Sequence, residues 1–138
     1  MKKLSKTIKL LFLVAPILWL MGCGSGNDAI LKMAAKEVNK DCPTRVDDIT
    51  VLKEVTYVNG VFTYVYELDP DMDSEAIMTA DDDLVREVLS EMVREKAVSN
   101  PNVKEFYNTL QKNGSKLVYH YIIKDGSGRT RDVELDYY

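Results

Sequence analysis

The dipeptide Asn59-Gly60 constrains the fold of this chain more than any other feature, because it separates two segments that are typical of strands. Both residues tolerate the positive φ that a type I′ hairpin turn requires. Residues 49–58 are rich in β-branched side chains, and residues 61–68 alternate between larger and smaller ones. The sequence therefore predicts an antiparallel hairpin centred on residues 59 and 60.

A second hairpin is predicted near the end of the chain. Residues 116–124 and 129–137 both have strand character, and the segment between them reads Asp-Gly-Ser-Gly. Alternation in the first of these strands places Tyr119 and Tyr121 on one face and Val118 and His120 on the other. The two hairpins are therefore similar in length and both are rich in tyrosine.

Apolar residues at intervals of three and four predict three helices. The first begins at Asp28, which we expect to cap it. The second follows Thr79 and Asp82, whose spacing resembles a capping box. A third, shorter helix follows the interruption at Asn100-Pro101. The apolar positions of the three helices are Ile30, Leu31, Ala34, Ala35, Val38; Leu84, Val85, Val88, Leu89, Met92, Val93; and Val103, Phe106, Tyr107, Leu110.

The order α-β-β-α-(α)-β-β, with helices separated from consecutive hairpins, is typical of an α+β fold. We expect a single domain with a four-stranded antiparallel sheet and all helices packed on one face. The two tyrosine-rich hairpins would then meet across the sheet. About 110 residues suit one compact domain and are too few for two.

The start of the chain has the three parts of a secretory signal. Lys2, Lys3, Lys6 and Lys9 precede an apolar run over residues 10–20, which is about half the length of a membrane-spanning helix and contains Pro16. Leu20-Met21-Gly22-Cys23 closes the run and resembles a bacterial lipobox. The predicted organisation is a lipoprotein signal peptide over residues 1–22, a lipidated tether over 23–27 and the α+β domain over 28–138.

The resemblance to bacterial lipoproteins implies a fate for Cys23. Its sulfur would receive a diacylglycerol, cleavage would occur just before it, and its new amino group would be acylated, commonly with palmitate. Two or more acyl chains anchor a protein stably, whereas one chain of about 14 carbons binds reversibly. Gly24, in place of the Asp that retains such proteins in the inner membrane, favours the outer membrane. The expected location is the periplasmic face or the cell surface.

The remaining sequence is similar to small exported bacterial proteins of unassigned function. The similarity covers nearly all of the chain after Cys23 and implies a fold but no catalytic residue. The residues that carry it are Asn39, Pro43, Val46, Asp47, Thr50, Leu52, Val55, Tyr64, Tyr66, Leu68, Leu110, Gly114, Tyr119, Tyr121, Asp125 and Gly128.

The charge balance argues against nucleic acid as a partner. After residue 22 the chain has 14 basic and 22 acidic residues. Phosphate binding requires a clustered basic face. We therefore expect no nucleic-acid binding.

Few residues suggest catalysis. Cys42 and His120 are the only pair that could form a thiolate and its general base, but the expected position of Cys42 at a helix C-terminus disfavours a thiolate. The acidic segment over residues 69–75 has oxygens at alternate positions, as calcium loops do, yet Ser74 and Ala80 stand where the turn glycine and the bidentate glutamate belong. We predict no catalytic residue, no metal and no cofactor.

The tyrosines suggest a surface for recognition, because tyrosine offers a rigid aromatic face with a polar tip. We predict a binding surface formed by Tyr64, Tyr66, Tyr119 and Tyr121, although paired tyrosines also stabilise sheets. The predicted function is a non-catalytic, membrane-anchored module for an envelope protein or a glycan. One alternative is an inhibitor or assembly factor that inserts the acidic loop near Asp71 into a partner, and an enzyme ranks third.

Overall fold

Five strands and four helices form one α+β domain in the computed structural model, which describes residues 26–136. The helices are α1 (Asn27–Asn39), α2 (Met72–Thr79), α3 (Asp82–Ser99) and α4 (Pro101–Lys112). The strands are β1 (Thr44–Arg45), β2 (Thr50–Val58), β3 (Val61–Leu68), β4 (Lys116–Ile123) and β5 (Thr130–Glu134).

The strands lie in the order in which the chain makes them, but they are not all antiparallel. The two hairpins meet through β3 and β4, as predicted, and these two strands are parallel. The prediction of a four-stranded antiparallel sheet was therefore wrong on two points: the sheet is mixed, and β1 adds a short fifth strand beside β2. The parallel pair arises because the three helices between β3 and β4 return the chain to the end of the sheet at which β3 began.

The turn at Asn59-Gly60 is confirmed. Asn59 has a φ of 52° and Gly60 a φ of 77°, so both residues adopt the conformation that a type I′ turn requires. The hairpin register pairs Val58 with Val61 directly beside the turn. At the middle of β2, a bulge between Leu52 and Glu54 shifts the register by one residue.

The helix boundaries differ from the prediction in one important place. The acidic segment after β3 was expected to be a loop, but its second half forms α2, which begins at Met72 and has Asp71 as its N-cap. The cap of α3 is Asp81 and not Thr79, and its carboxylate accepts hydrogen bonds from the backbone N–H of Asp83 and Leu84. Asn100 caps α4, which confirms the predicted interruption before Pro101.

All four helices pack on one face of the sheet, as predicted. Each helix contributes buried side chains to one hydrophobic cluster, among them Leu31 of α1, Ile77 of α2, Leu89 of α3 and Phe106 of α4. The same cluster contains alternate residues of β3 and β4, namely Phe62, Tyr64, Tyr66, Leu68, Leu117, Tyr119 and Tyr121. We call this side of the sheet the covered face.

Candidate interaction surface

The four tyrosines predicted to form a binding surface lie on the covered face. Tyr64 and Tyr66 are 0% exposed, Tyr119 is 3% exposed and Tyr121 is 1% exposed. The prediction of a surface at these residues is therefore corrected, because the helices pack on the same alternation set that carries the aromatic rings. Tyr57 of β2 is also buried.

These tyrosines form the centre of the core. The parallel register places Tyr64 beside Tyr119 and Tyr66 beside Tyr121. The ring centroids of Tyr66 and Tyr119 are 5.1 Å apart in an edge-to-face arrangement, and those of Tyr66 and Tyr121 are 5.5 Å apart in a stacked one. Burial raises the pKa of all four hydroxyls far above the usual tyrosine value, so each stays neutral.

The opposite side of the sheet, which we call the open face, is free of the described helices. Its residues alternate with the tyrosines and are half-buried within the sheet itself. Its central positions are Thr56, Thr63, Val65, Val118, His120 and Ile122. The open face therefore consists mainly of β-branched side chains, with Glu54 and His120 on either side of Val65.

Ion pairs border this apolar strip. Lys53 Nζ lies 3.5 Å from Glu67 Oε2 across β2 and β3, and Lys116 Nζ lies 3.6 Å from Glu134 Oε1 across β4 and β5. These pairs are substantially exposed, so each contributes little to stability. They give the open face a rim of charge around an apolar centre, which is the usual anatomy of a protein interface.

Cys42 and His120, the only candidate for a catalytic dyad, lie on opposite faces of the sheet. The Sγ of Cys42 donates to Val38 O at 3.5 Å beside the helices, whereas His120 projects from the open face and pairs with Asp132. Burial is the main cause that raises the pKa of the Cys42 thiol, and Asp41 adds to it. Cys42 is therefore a thiol and not an activated nucleophile.

The acidic segment between β3 and α2 is organised by helix capping. The carboxylate of Asp71 accepts from Asp73 N at 3.1 Å, and Ser74 Oγ donates to Asp69 O at 2.5 Å. Asp71 and the Asp69 carbonyl therefore serve the start of α2. Among residues 26–136 no group of three or more His, Cys, Asp or Glu side chains has the arrangement of a metal site.

Arg129 ties the turn between β4 and β5 to α2. Its guanidinium donates to both carboxylate oxygens of Glu75, at 2.7 and 3.0 Å, and to Asp125 at 2.8 Å. The hydrogen bond from Arg129 is the main cause that lowers the pKa of Glu75, and the positive charge of Arg129 adds to it. At this acidic end of the domain, which also includes Asp69 and Asp71, Arg129 thus links Glu75 to Asp125.

A polar cluster fixes the other end of the domain, where α1 begins. Tyr57 OH donates to Asp28 Oδ1 at 2.5 Å, and Asn113 Nδ2 donates to Tyr57 OH at 2.7 Å and to Ser115 Oγ at 2.8 Å. The hydrogen bond from Tyr57 is the main cause that lowers the pKa of Asp28. We call this region, with Gly60 and Lys116 beside it, the N-terminal end of the domain.

A groove of about 360 Å³ lies between α3 and α4. Its walls include Ala97, Val98, Tyr107 and the side chains of Arg94 and Lys104. Arg94 Nη1 donates to Asp136 O at 3.0 Å, which places the groove beside the end of β5. The groove was not identified from the sequence. Helices on one face of the sheet were predicted, which implies an open face for binding, but the tyrosines assigned to that surface lie on the covered face.

Several predictions concern residues outside the described range. The signal peptide, the lipobox with Cys23 and the proposed tether up to residue 25 precede the described residues, and the last two positions of the predicted domain, residues 137 and 138, follow them. Within the part that the structure describes, no helix combines the length and the apolar character needed to cross a membrane.

Comparisons with known proteins identify a family and a related fold. A family profile described as a domain of unknown function (DUF8479) matches residues 25–130. A crystal structure from Pseudomonas aeruginosa, provisionally described as that of a secreted protein, has a TM-score of 0.56 and 17% identity over 82% of this chain and 95% of its own. At that identity the likeness concerns the fold alone. No curated protein matches the sequence significantly.

Proposed function

Because the chain belongs to the family described as a domain of unknown function (DUF8479), its role has to be inferred from its own residues, and we propose that it is a lipid-anchored envelope protein acting as a non-catalytic binding module. The observation that carries this proposal is the open face. An α+β sheet that packs helices on one side only leaves its other side available to a partner.

The composition of the open face favours a protein partner. Its apolar centre comprises valine, isoleucine and threonine side chains that are already held rigid by the strands, so little conformational entropy is lost when they are covered. Val58, beside the hairpin turn, is 59% exposed and extends the apolar strip toward the N-terminal end. A glycan is the less favoured ligand, because the tyrosines within residues 26–136 that could stack on sugars are in the core.

The lipobox supports the proposed location. Acylation of Cys23 would hold the domain on the outer membrane, facing the periplasm or the cell surface, and the secreted description of the structural relative is compatible with an extracytoplasmic site. Replacing Cys23 with serine should abolish acylation and release the protein from membranes. Retention of the Cys23→Ser protein in washed membranes would contradict the anchor.

Site-specific photocrosslinking in intact cells tests the binding surface. A benzophenone amino acid at Val65 or Val118 on the open face should yield a discrete adduct of one envelope protein. The same probe at Glu87, which is exposed on α3, is the matched control. Adducts of equal yield from Glu87, or none from the open face, would overturn the proposal.

One observation favours an alternative role as an inhibitor or assembly factor. Met72 is 88% exposed and stands between Asp71 and Asp73 at the start of α2. An apolar side chain flanked by two carboxylates can anchor in an apolar pocket that has basic residues at its rim. A photoreactive residue at Met72 distinguishes this role, because it would give the dominant adduct in place of the open face.

A further inference from the structure

The groove between α3 and α4 lies at the same end of the domain as the start of α1. Glu134 pairs with Val118 near the beginning of β4, so Asp136 lies farther toward the N-terminal end of the sheet. Arg94 binds the carbonyl of Asp136, and Gln111 at the other side of the groove lies in the last turn of α4.

The end of α4 is in direct contact with the beginning of α1. Asn113, the residue that follows α4, donates to Asp28 Oδ1 at 3.2 Å. Cys23 lies four positions before Asn27 in the sequence, which limits their separation to about 14 Å in a fully extended chain. A lipid on Cys23 therefore keeps the N-terminal end, and the groove with it, within reach of the membrane surface.

The groove differs in charge from the rest of the chain. Its lining contains Arg94 and Lys104 but no acidic residue, whereas the chain after residue 22 has an excess of acids. Arg94 also donates to Glu91 Oε2 at 3.0 Å, which uses only part of the donor set of its guanidinium. Lys112 and Lys116, both exposed, lie near the same end.

Apolar side chains complete the surface. Val98 is 87% exposed at the mouth of the groove, next to Ala97, and Tyr107 forms part of its floor. Exposed apolar residues beside cations are typical of surfaces that rest on the headgroup region of a bilayer, where both groups find partners. Phosphate oxygens would accept hydrogen bonds from the guanidinium and ammonium groups.

We propose that the α3–α4 groove binds the anionic phospholipid headgroups of the membrane that holds the anchor. This inference rests on the proposed acylation of Cys23. It fixes the orientation of the domain: the N-terminal end faces the bilayer, the acidic end with Asp69, Asp71 and Glu75 points away from it, and the open face stands to the side. The open face is then presented to partners at a defined height above the membrane.

Lipid-mediated quenching on the full-length acylated protein in nanodiscs tests this orientation. A fluorophore is attached through Val98→Cys in a Cys42→Ala background, and lipids with nitroxide headgroups serve as quenchers. Quenching should be stronger in discs with about 30% phosphatidylglycerol than in purely zwitterionic discs. The double substitution Arg94→Gln/Lys104→Gln should lower the equilibrium constant for the membrane-facing orientation by roughly fivefold per cation removed.

The control removes the same charge elsewhere. Lys36→Gln/Lys124→Gln lacks two exposed cations outside the groove and should retain the quenching of the parent. Equal quenching in both kinds of disc, or equal losses from the two double variants, would overturn the proposal. Failure of the acylated protein to co-elute with discs would instead contradict the anchor itself, so the two failures are distinguishable.

Discussion

The two faces of the central sheet are built from alternate residues of the same strands, yet they have different roles. On the covered face Tyr64 and Tyr66 are 0% exposed beneath the helices. Thr63 and Val65, which alternate with these tyrosines along β3, remain partly exposed on the open face. The difference shows that the covered face provides stability, whereas the open face can change with little cost to the fold. A surface with that freedom is suited to recognition.

The largest expected effect is a difference in the free energy of unfolding between substitutions on the two faces. Tyr64→Ala should lower the free energy of unfolding by about 3–5 kcal/mol, because it leaves a cavity among packed aromatic rings. Thr63→Ala, one residue earlier on the open face, should lower it by less than about 1 kcal/mol. Chemical denaturation of both variants measures this contrast. Similar losses would show that the open face is also covered.

A smaller effect should separate two tyrosine hydroxyls that are both buried. Tyr57→Phe removes the donor to Asp28 and should cost about 1–3 kcal/mol, since polar partners are left behind. Tyr64 OH has no hydrogen-bond partner among the described residues. Tyr64→Phe should therefore be neutral or stabilising by up to about 1 kcal/mol. A loss comparable to that of Tyr57→Phe would indicate that Tyr64 OH has a partner in solution.

A weaker effect concerns the ion pair between Arg129 and Glu75, which links the turn after β4 to α2. The pKa of Glu75 in the folded protein lies below its unfolded value of 4.5 because of Arg129. Its contribution to stability is therefore complete above pH 4.5 and is lost as the pH falls through the lowered pKa. Melting temperatures should fall less steeply with acid in Arg129→Gln than in the parent. Identical slopes would show that this pair does not contribute.

The smallest expected effect is a difference in thiol reactivity between the two faces of the sheet. Cys42 is partly buried with a raised pKa, so it should react slowly with a maleimide, and the protein should migrate as a monomer on non-reducing gels. A cysteine introduced by Thr63→Cys on the open face should react faster in a Cys42→Ala background. A disulfide dimer through Cys42, or equal labelling rates, would contradict this expectation.

Local signals in the sequence predicted most of the elements. The turn at Asn59-Gly60 and the strand after it were correct because turn conformation and alternation depend on neighbouring residues only. The stripe of α1 was also correct, with Leu31, Ala34, Ala35 and Val38 all buried. The helix α2 was missed because its first turn is acidic and resembles a solvated loop, and only the carboxylate of Asp71 marks its start.

The interaction surface was predicted at the wrong residues for a physical reason. Alternation divides β3 and β4 into two sets but does not state which set the helices will cover. Tyrosine is compatible with either side, because its ring is apolar and its hydroxyl is polar. The contact of the helices with Tyr64 and Tyr119 decided the outcome, and that contact depends on residues far apart in sequence.

The sequence by itself determined the predicted export signal, the α+β class and the two hairpins, since each follows from short-range spacing and chemistry. Only the tertiary structure decided that β3 and β4 run parallel, that the tyrosines form the core, and that α3 and α4 enclose a basic groove beside the start of α1. These features depend on where the helices end. Asn113 meets Tyr57 across 56 residues of sequence, and no local pattern encodes a contact of that separation, because it forms only when the packed helices bring the two segments together.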